Sequence, residues 1–429
     1  MGKIIHQLQK SVKGTLSVPG DKSMSHRAVI FGALSEGETT IHNFLLGEDC
    51  ISTIEAFRAL GVSIEIRDKE IFIKGNGLRG LTEPLYPIDF GNSGTTARLM
   101  LGVLAGQPFH TVLIGDDSLS KRPMERVTNP VQQMGAHTDG RADGKYLPMS
   151  IRGGKLTPIQ YKLPVNSAQV KSAILLAGLF ADGTTTVIEP VPTRDHTERM
   201  IKAFGGEVTK KGTHISIEGD QVLSGCHVDI PGDISSAAFF IVAAAITPNS
   251  YLIIENVGLN PTRTGIIDVL KQMGASIETT VTNHLGDEPV GTIKVQTSSL
   301  SGVEISGSII PRVIDEIPLI ALLATQAEGT TVIRDAEDLR YKETDRIKAV
   351  VDVLTKLGAH IEEQKDGMII HGKKELRGNK VSSYGDHRIG MMLAIASFLT
   401  KEEVEIENPE CINISYPTFF EDLEKITQN

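Results

Sequence analysis

The sequence predicts an α/β protein of two lobes, each holding three repeats around buried apolar helices, and three observations point there. A helix rich in small residues, followed by a polar turn and a short β-branched strand, occurs six times. An amphipathic helix ending in glycine alternates with it. The wording Val18-Pro19-Gly20-Asp21 returns as Ile230-Pro231-Gly232-Asp233. Self-similarity on this scale marks repeated supersecondary units.

The first series runs SHRAVIFGALSEGETTIHNF from Ser25, GTTARLMLGVLAGQPFHTVLIG from Gly94, SAQVKSAILLAGLFADGTTTVIE from Ser167, SSAAFFIVAAAITPNSYLIIEN from Ser235, DEIPLIALLATQAEGTTVIRD from Asp315 and DHRIGMMLAIASFLTKEEVEIEN from Asp386. Each helix is apolar nearly all round, which places it in the interior. The second series runs TIEAFRALGVSIEI, NPVQQMGAHTD, RMIKAFGGEVTK, GIIDVLKQMGASIET and VVDVLTKLGAHIEE, with Gly61, Gly135, Gly205, Gly274 and Gly358 at the turns. Glycine just past a helix is the expected left-handed cap, and the apolar spacing fits half-buried helices. Six units suggest two halves of three, and the duplicated Pro-Gly pairs mark chain crossings. The expected lobes are residues 21–232 and residues 1–20 plus 233–429, with hinges at 18–21 and 230–233. A cleft between lobes is where a ligand is expected.

Composition removes several functions. Acidic residues outnumber basic ones, 53 to 43, for a net charge of −10, and aromatics make up 5% with no Trp. The overall field and the lack of stacking platforms argue against nucleic acid and against an anionic membrane surface. The longest apolar stretch, Ala237 to Ile246, cannot cross a bilayer. The opening MGKIIHQLQKSVKG has no secretory core, and His6 stands where a myristoylation signal needs Ser or Thr, so a cytoplasmic protein is expected. Cys50, Cys226 and Cys411 form no CxxC pair and read as small buried apolar residues, not as a disulfide framework or zinc site.

An anionic ligand would therefore need local cations, and polar clusters stand at the starts of the repeat helices, where free backbone N–H groups and the helix dipole favour anions. GDKSMSHR brings Lys22, Ser23, His26 and Arg27 onto one turn; it is not a Walker loop, because GxxxxGK(S/T) needs a glycine five residues before Gly20 and Thr15 stands there. FGNSGTTAR offers Gly91 and Gly94 as room for an anion against backbone amides. SLSKRPMER sets Arg122 before a proline, poised for a bidentate fork. NSAQVKS offers Ser167 and Gln169 as partners for hydroxyls, or as plain caps. RDHTER holds His196 and Glu198 two residues apart, which cannot make an HExxH face, so no metal is expected. The densest group, RVIDE, RYKETDR and YGDHR, collects Asp315, Lys342, Glu343, Arg346, His387 and Arg388. It reads either as a structural ion network or as a proton-transfer site with its anion clamped by cations.

At GDKSMSHR, GNSGTTAR, RPMER, SAQVK, KETDR and DHR the chain resembles the 5-enolpyruvylshikimate-3-phosphate synthase family, in matching order from end to end, and RPMER, SAQVK and RDHTE resemble its second class. The resemblance implies two pseudo-threefold lobes of three βαβαββ units each. It implies transfer of the enolpyruvyl group of phosphoenolpyruvate to the 5-hydroxyl of shikimate 3-phosphate, releasing phosphate without a cofactor. By motif, Lys22, Ser23, Arg27, Ser167, Gln169, Asp315 and Lys342 are expected on shikimate 3-phosphate. Lys22, Gly94, Arg122, Gln169, Arg346 and Arg388 are expected on phosphoenolpyruvate. Asp315 is expected to act as general base and Glu343 as the proton shuttle, with Lys22 beside the reacting groups. The partners implied are these two small molecules alone, with a monomer sufficient.

The chain departs from the family at Ile414, where many members carry a lysine, at Ala168, where the first class has serine, and at Arg194. A sister enolpyruvyl transferase acting on UDP-N-acetylglucosamine would carry Lys-Asn in place of Lys22-Ser23, and a loop cysteine near Gly115-Asp116-Asp117. A non-catalytic scaffold could dispense with Asp315 and Glu343. The residues present favour the first reading.

Overall fold

Why the repeats close into sheets is visible in the pairing of their strands. The computed structural model describes residues 2–5 and 11–427; His6 and the remaining residues of 6–10 lie outside them. The chain divides into two compact units, one of Met1–Pro19, Pro231–His284 and Glu288–Asn429, the other of Gly20–Ile230 with Leu285–Asp287.

In the Gly20–Ile230 unit three four-stranded sheets repeat one pattern. Ile88–Asp89 pairs parallel with His110–Ile114, which pairs antiparallel with Met149–Arg152, which pairs antiparallel with His137–Gly140. Gln160–Lys162, Thr184–Ile188, His214–Glu218 and Val208–Lys211 do the same. In the third sheet, Glu36–His42 takes its parallel neighbour from the far end of the unit, His227–Asp229, so the last strand closes on the first. The other unit solves the same closure differently. Lys13–Ser17, from the start of the chain, pairs parallel with Tyr251–Gly258, which continues into Glu288–Gln296 and Ile277–Leu285. A second sheet runs Glu304–Ile305, Gly329–Ile333, Gly367–Gly372, His360–Gln364. The sixth departs, with three strands among the described residues: Lys380–Ser382, Val404–Glu407 and Lys3–Ile5. No sixth amphipathic helix with a glycine stop was legible, and a 3₁₀ segment Pro409–Ile414 and the helix Phe419–Lys425 stand there instead.

The six apolar helices are Lys22–Leu34, Gly94–Ala105, Ala168–Gly178, Ile234–Ile246, Ile317–Thr325 and His387–Ala396, and nearly every residue in them is buried. Small residues let them approach closely. A Cβ on Gly102 would lie 2.2 Å from the Ala173 carbonyl oxygen, so glycine is required there. The amphipathic helices Glu48–Ala59, Glu125–Gln133, His196–Ala203, Gly265–Gln272 and Arg346–Lys356 each stop before a glycine of positive φ, at Gly61, Gly135, Gly205, Gly274 and Gly358. The second of them begins at Glu125, upstream of the Asn129-Pro130 wording, and continues through Pro130. Each unit has its own apolar core: one draws on residues between Met24 and Ile230, the other on Val12 to Val18 and Ile234 to Ile426. Cys50 and Cys411 are buried as expected, but Cys226, at the sheet edge, is only partly so.

Candidate active site

In the Gly20–Ile230 unit, the helix Lys22–Leu34 starts under the cap of Asp21, whose carboxylate accepts the Met24 N–H at 2.8 Å. This start fixes the direction of Lys22, which pairs with Asp49, and of Arg27 one turn on. Arg27 is buried and ties together three helices, donating from Nε to Thr197 Oγ1 at 2.7 Å, from Nη2 to Ser172 Oγ at 2.8 Å and from Nη1 to the Ser23 carbonyl at 2.9 Å.

A second group forms at the start of the next inner helix. Ser93 caps Gly94–Ala105, accepting from the Thr96 N–H. A Cβ built on Gly94 would come 2.8 Å from Arg98 Nη1 and 3.2 Å from Arg122 Nη1, so the missing side chain leaves both guanidinium groups against bare backbone. Arg122 is held by Asn92 Oδ1 at 2.8 Å and Ser118 Oγ at 3.0 Å. Gln169 accepts from Arg98 Nη1 and donates to Thr95 Oγ1, both at 3.0 Å. Ser167 caps the helix that carries Gln169, accepting the Val170 N–H at 3.4 Å. Gly94, Arg122 and Gln169 thus fall together, and Arg98, quoted in its motif without a role, joins them.

Beneath Gln169 lies an ion network that no local pattern announced. Lys171, fully buried, pairs with Glu189 at 2.9 Å and with Glu198 at 2.8 Å, which fastens the Ala168–Gly178 helix to the strand and helix that follow it. Glu198 is therefore engaged by a lysine. Arg194 sits partly buried in the loop before the His196–Ala203 helix, and Ala168 is the first residue of its helix. Asp116 acts as a turn cap, accepting from Leu119 N–H and Asn92 Nδ2, at the place where the rival transferase needs a cysteine acid.

In the other unit the acid–base residues converge on Arg346. Asp315 lies just before the start of the helix Ile317–Thr325, in a break, Ile314–Glu316, that separates it from the helix Ile310–Val313. That break leaves its carbonyl oxygen free to accept from Arg388 Nη1 at 3.2 Å, while its carboxylate stands 3.4 Å from both Lys342 Nζ and Arg346 Nη1. Lys342 and Glu343 occupy the loop before the helix Arg346–Lys356, which Asp345 caps. Glu343 accepts from Arg346 Nη2 at 2.6 Å, and buried Asp386 accepts from Arg346 Nε at 2.7 Å. Burial alone would weaken the Arg346 cation. Asp386, Glu343 and Asp315 more than offset that, so its pKa is raised above the ordinary arginine value. Arg388 also lies 3.6 Å from Glu316. Ile414 packs partly buried against the apolar core and supplies no cation here.

Cations thus gather at the starts of several inner helices, and three carboxylates share one buried guanidinium: the fold and the site define an enolpyruvyl transferase. The likeness of fold is direct, since the chain matches the enolpyruvyl transferase NikO from Streptomyces tendae with a TM-score of 0.79, at 19% identity over 99% of this chain and 96% of that one. The chain belongs to the family described as EPSP synthase (3-phosphoshikimate 1-carboxyvinyltransferase), whose profile matches residues 6–423. An EPSP synthase from Acinetobacter baumannii matches with a TM-score of 0.87 at 45% identity, over 99% of this chain and 98% of that one. A protein of Bacillus cytotoxicus named 3-phosphoshikimate 1-carboxyvinyltransferase is 59% identical over 97% of this chain and 98% of its own length.

Proposed function

We propose that this chain transfers the carboxyvinyl group of phosphoenolpyruvate to the 5-hydroxyl of shikimate 3-phosphate and releases phosphate, a step of aromatic amino acid biosynthesis. The observation that carries the reading is the pair of carboxylates, Asp315 and Glu343, held on one buried guanidinium, Arg346. Addition followed by elimination needs a base and an acid in one place. Asp315 takes the hydroxyl proton as the oxygen attacks C2 of phosphoenolpyruvate, and Glu343 gives a proton to its methylene carbon, forming a tetrahedral intermediate. In the elimination the carbon–oxygen bond to phosphate breaks, Glu343 takes back a methyl proton, and the proton held by Asp315 leaves with the phosphate.

Each substrate carries a phosphate and a carboxylate. One pair of unit charges 4 Å apart repels by about 4 kcal/mol at an effective dielectric of 20, so cations must accompany both substrates. Lys22, Ser23 and Arg27 serve the shikimate phosphate, with Ser167, Gln169 and Lys342 on the same substrate. Gly94, Arg122, Gln169, Arg346 and Arg388 serve phosphoenolpyruvate, and Lys22 serves both. The reaction runs in the cytoplasm, with a monomer and without a cofactor; sedimentation at assay concentration reads the oligomeric state.

The test is a coupled phosphate-release assay. Release is expected only when both substrates are present, and Asp315→Asn should lower kcat by about 10²–10⁴-fold with a smaller change in the KM for phosphoenolpyruvate. Release from phosphoenolpyruvate alone, or full turnover in the Asp315 variant, would contradict the reading.

A further inference from the structure

We propose that His42, His227 and Asp229 form a binding site for a divalent transition-metal ion, zinc(II) or its analogue cobalt(II), independent of the transferase reading. The three offered ligand atoms all lie within 4.8 Å of one another. The parallel pairing of Glu36–His42 with His227–Asp229 sets Asp229 beside His42 and puts His227 two residues earlier on the same strand, hence on the same face. Two imidazoles meet one carboxylate oxygen: His42 Nδ1 is 3.4 Å and His227 Nε2 3.1 Å from Asp229 Oδ1. Ligand atoms bound tetrahedrally to zinc at about 2.1 Å are spaced about 3.4 Å apart, so the two edges that meet at Asp229 Oδ1 are already close to those of a coordination shell. The two rings stand at 81° with centroids 4.3 Å apart, converging on that oxygen without stacking face to face.

A second feature separates the cluster from an ordinary surface ion pair. The other nitrogen of His42, Nε2, lies 3.1 Å from Glu70 on the adjoining strand. A carboxylate on the far nitrogen of a histidine fixes its tautomer and ring direction and strengthens it as a ligand. All four residues are partly open to solvent, which supplies the remaining ligand as water. Two imidazoles and a carboxylate suit zinc and its neighbours better than magnesium or calcium.

The site also has a structural consequence. His42 and Asp229 lie where the unit's last strand closes on its first, directly before the chain leaves at Ile230. The Ile230 N–H donates to the His42 carbonyl at 3.1 Å, and Asn43 Nδ2 donates to the Ile230 carbonyl at 2.8 Å. A bound ion would clasp that closure. A second cluster, His360, Glu362 and His371, is less prepared: its rings are tilted by only 32° at 4.4 Å, and His371 alone is bonded to the carboxylate.

The experiment titrates cobalt(II) into the untagged, chelator-stripped full chain and follows its visible d–d bands, with zinc displacement as a check. Saturable binding is expected. His227→Ala should remove one equivalent, Asp229→Asn should weaken that equivalent tenfold or more, and His371→Ala should leave it in place. No saturable binding, unchanged stoichiometry in His227→Ala, or loss of that equivalent only in His371→Ala would overturn the site. Far-UV circular dichroism checks that each variant is folded, and the Asp229 variant keeps the test open should the His227 variant fail that check.

Discussion

Gly94 shows how a missing side chain can be a functional residue. Its place in the first helical turn carries no positive φ, so backbone strain does not explain it; the space beside Arg98 and Arg122 does. Alanine is a better helix former, so Gly94→Ala should keep or raise the melting temperature. The KM for phosphoenolpyruvate should nevertheless rise severalfold, as the methyl displaces the two guanidinium groups, and an unchanged KM would remove Gly94 from that site. His26 makes a separate prediction. Burial, then Lys22 and Arg27, holds its pKa well below 6.5, and its Nδ1 is bonded to Thr53 Oγ1 at 2.7 Å. The unfolded chain protonates this histidine below pH 6.5 while the folded chain keeps it neutral, so the unfolded state binds more protons and stability falls as pH drops through 6.5. The slope from this one group is at most about 1.4 kcal/mol per pH unit. Urea unfolding at pH 7.5 and 5.5 should show His26→Gln losing less stability than the parent over that interval. An equal loss would mean that His26 does not set the slope. At this scale the motifs single out Lys22, Arg27, Arg122, Gln169 and Arg346, because cations and polar groups near helix starts are legible locally. Arg98, Lys171, Thr197 and Asp386 were not, since their partners lie elsewhere in the chain: Thr197 is 170 residues from Arg27.

Elements were legible where their signals are local. Five glycines with positive φ end five amphipathic helices, and backbone preference alone marks such stops. Gly358, at φ +95, has only the Glu375 carbonyl oxygen within 4 Å of a built Cβ, at 3.7 Å, so alanine there meets strain and no clash. Gly358→Ala is expected to cost about 1–2 kcal/mol in urea unfolding, with KM values unchanged. A neutral substitution would show that the turn relaxes to a negative φ. The break at Ile314–Glu316 has a local cause, since Pro318, in the first turn of the following helix, has no N–H to donate to the Ile314 carbonyl. What only the tertiary structure supplies is the use of the break: Arg388 donates to the Asp315 carbonyl.

At the scale of the molecule, each unit owns its apolar core, and the Gly20–Ile230 unit also owns the strand that closes its first sheet. A chain of residues 20–230 is therefore expected to unfold cooperatively on its own and to bind shikimate 3-phosphate weakly through Lys22 and Arg27, without turnover. A non-cooperative urea transition would show that its core is not self-sufficient. Residues 231–429 alone should be less stable, since they lack Lys13–Ser17, the strand on which Tyr251–Gly258 pairs.

Periodicity, glycine stops and cation-bearing helix starts are properties of neighbouring residues, so the linear chain alone determined the sixfold repeat, the buried helices and most of the candidate site. Strand closure, the sharing of Arg346 among three carboxylates and the meeting of His42 with His227 were decided only by the tertiary structure. These depend on sheet register and helix packing, which place side chains from remote segments within hydrogen-bonding reach, and no local pattern encodes that distance.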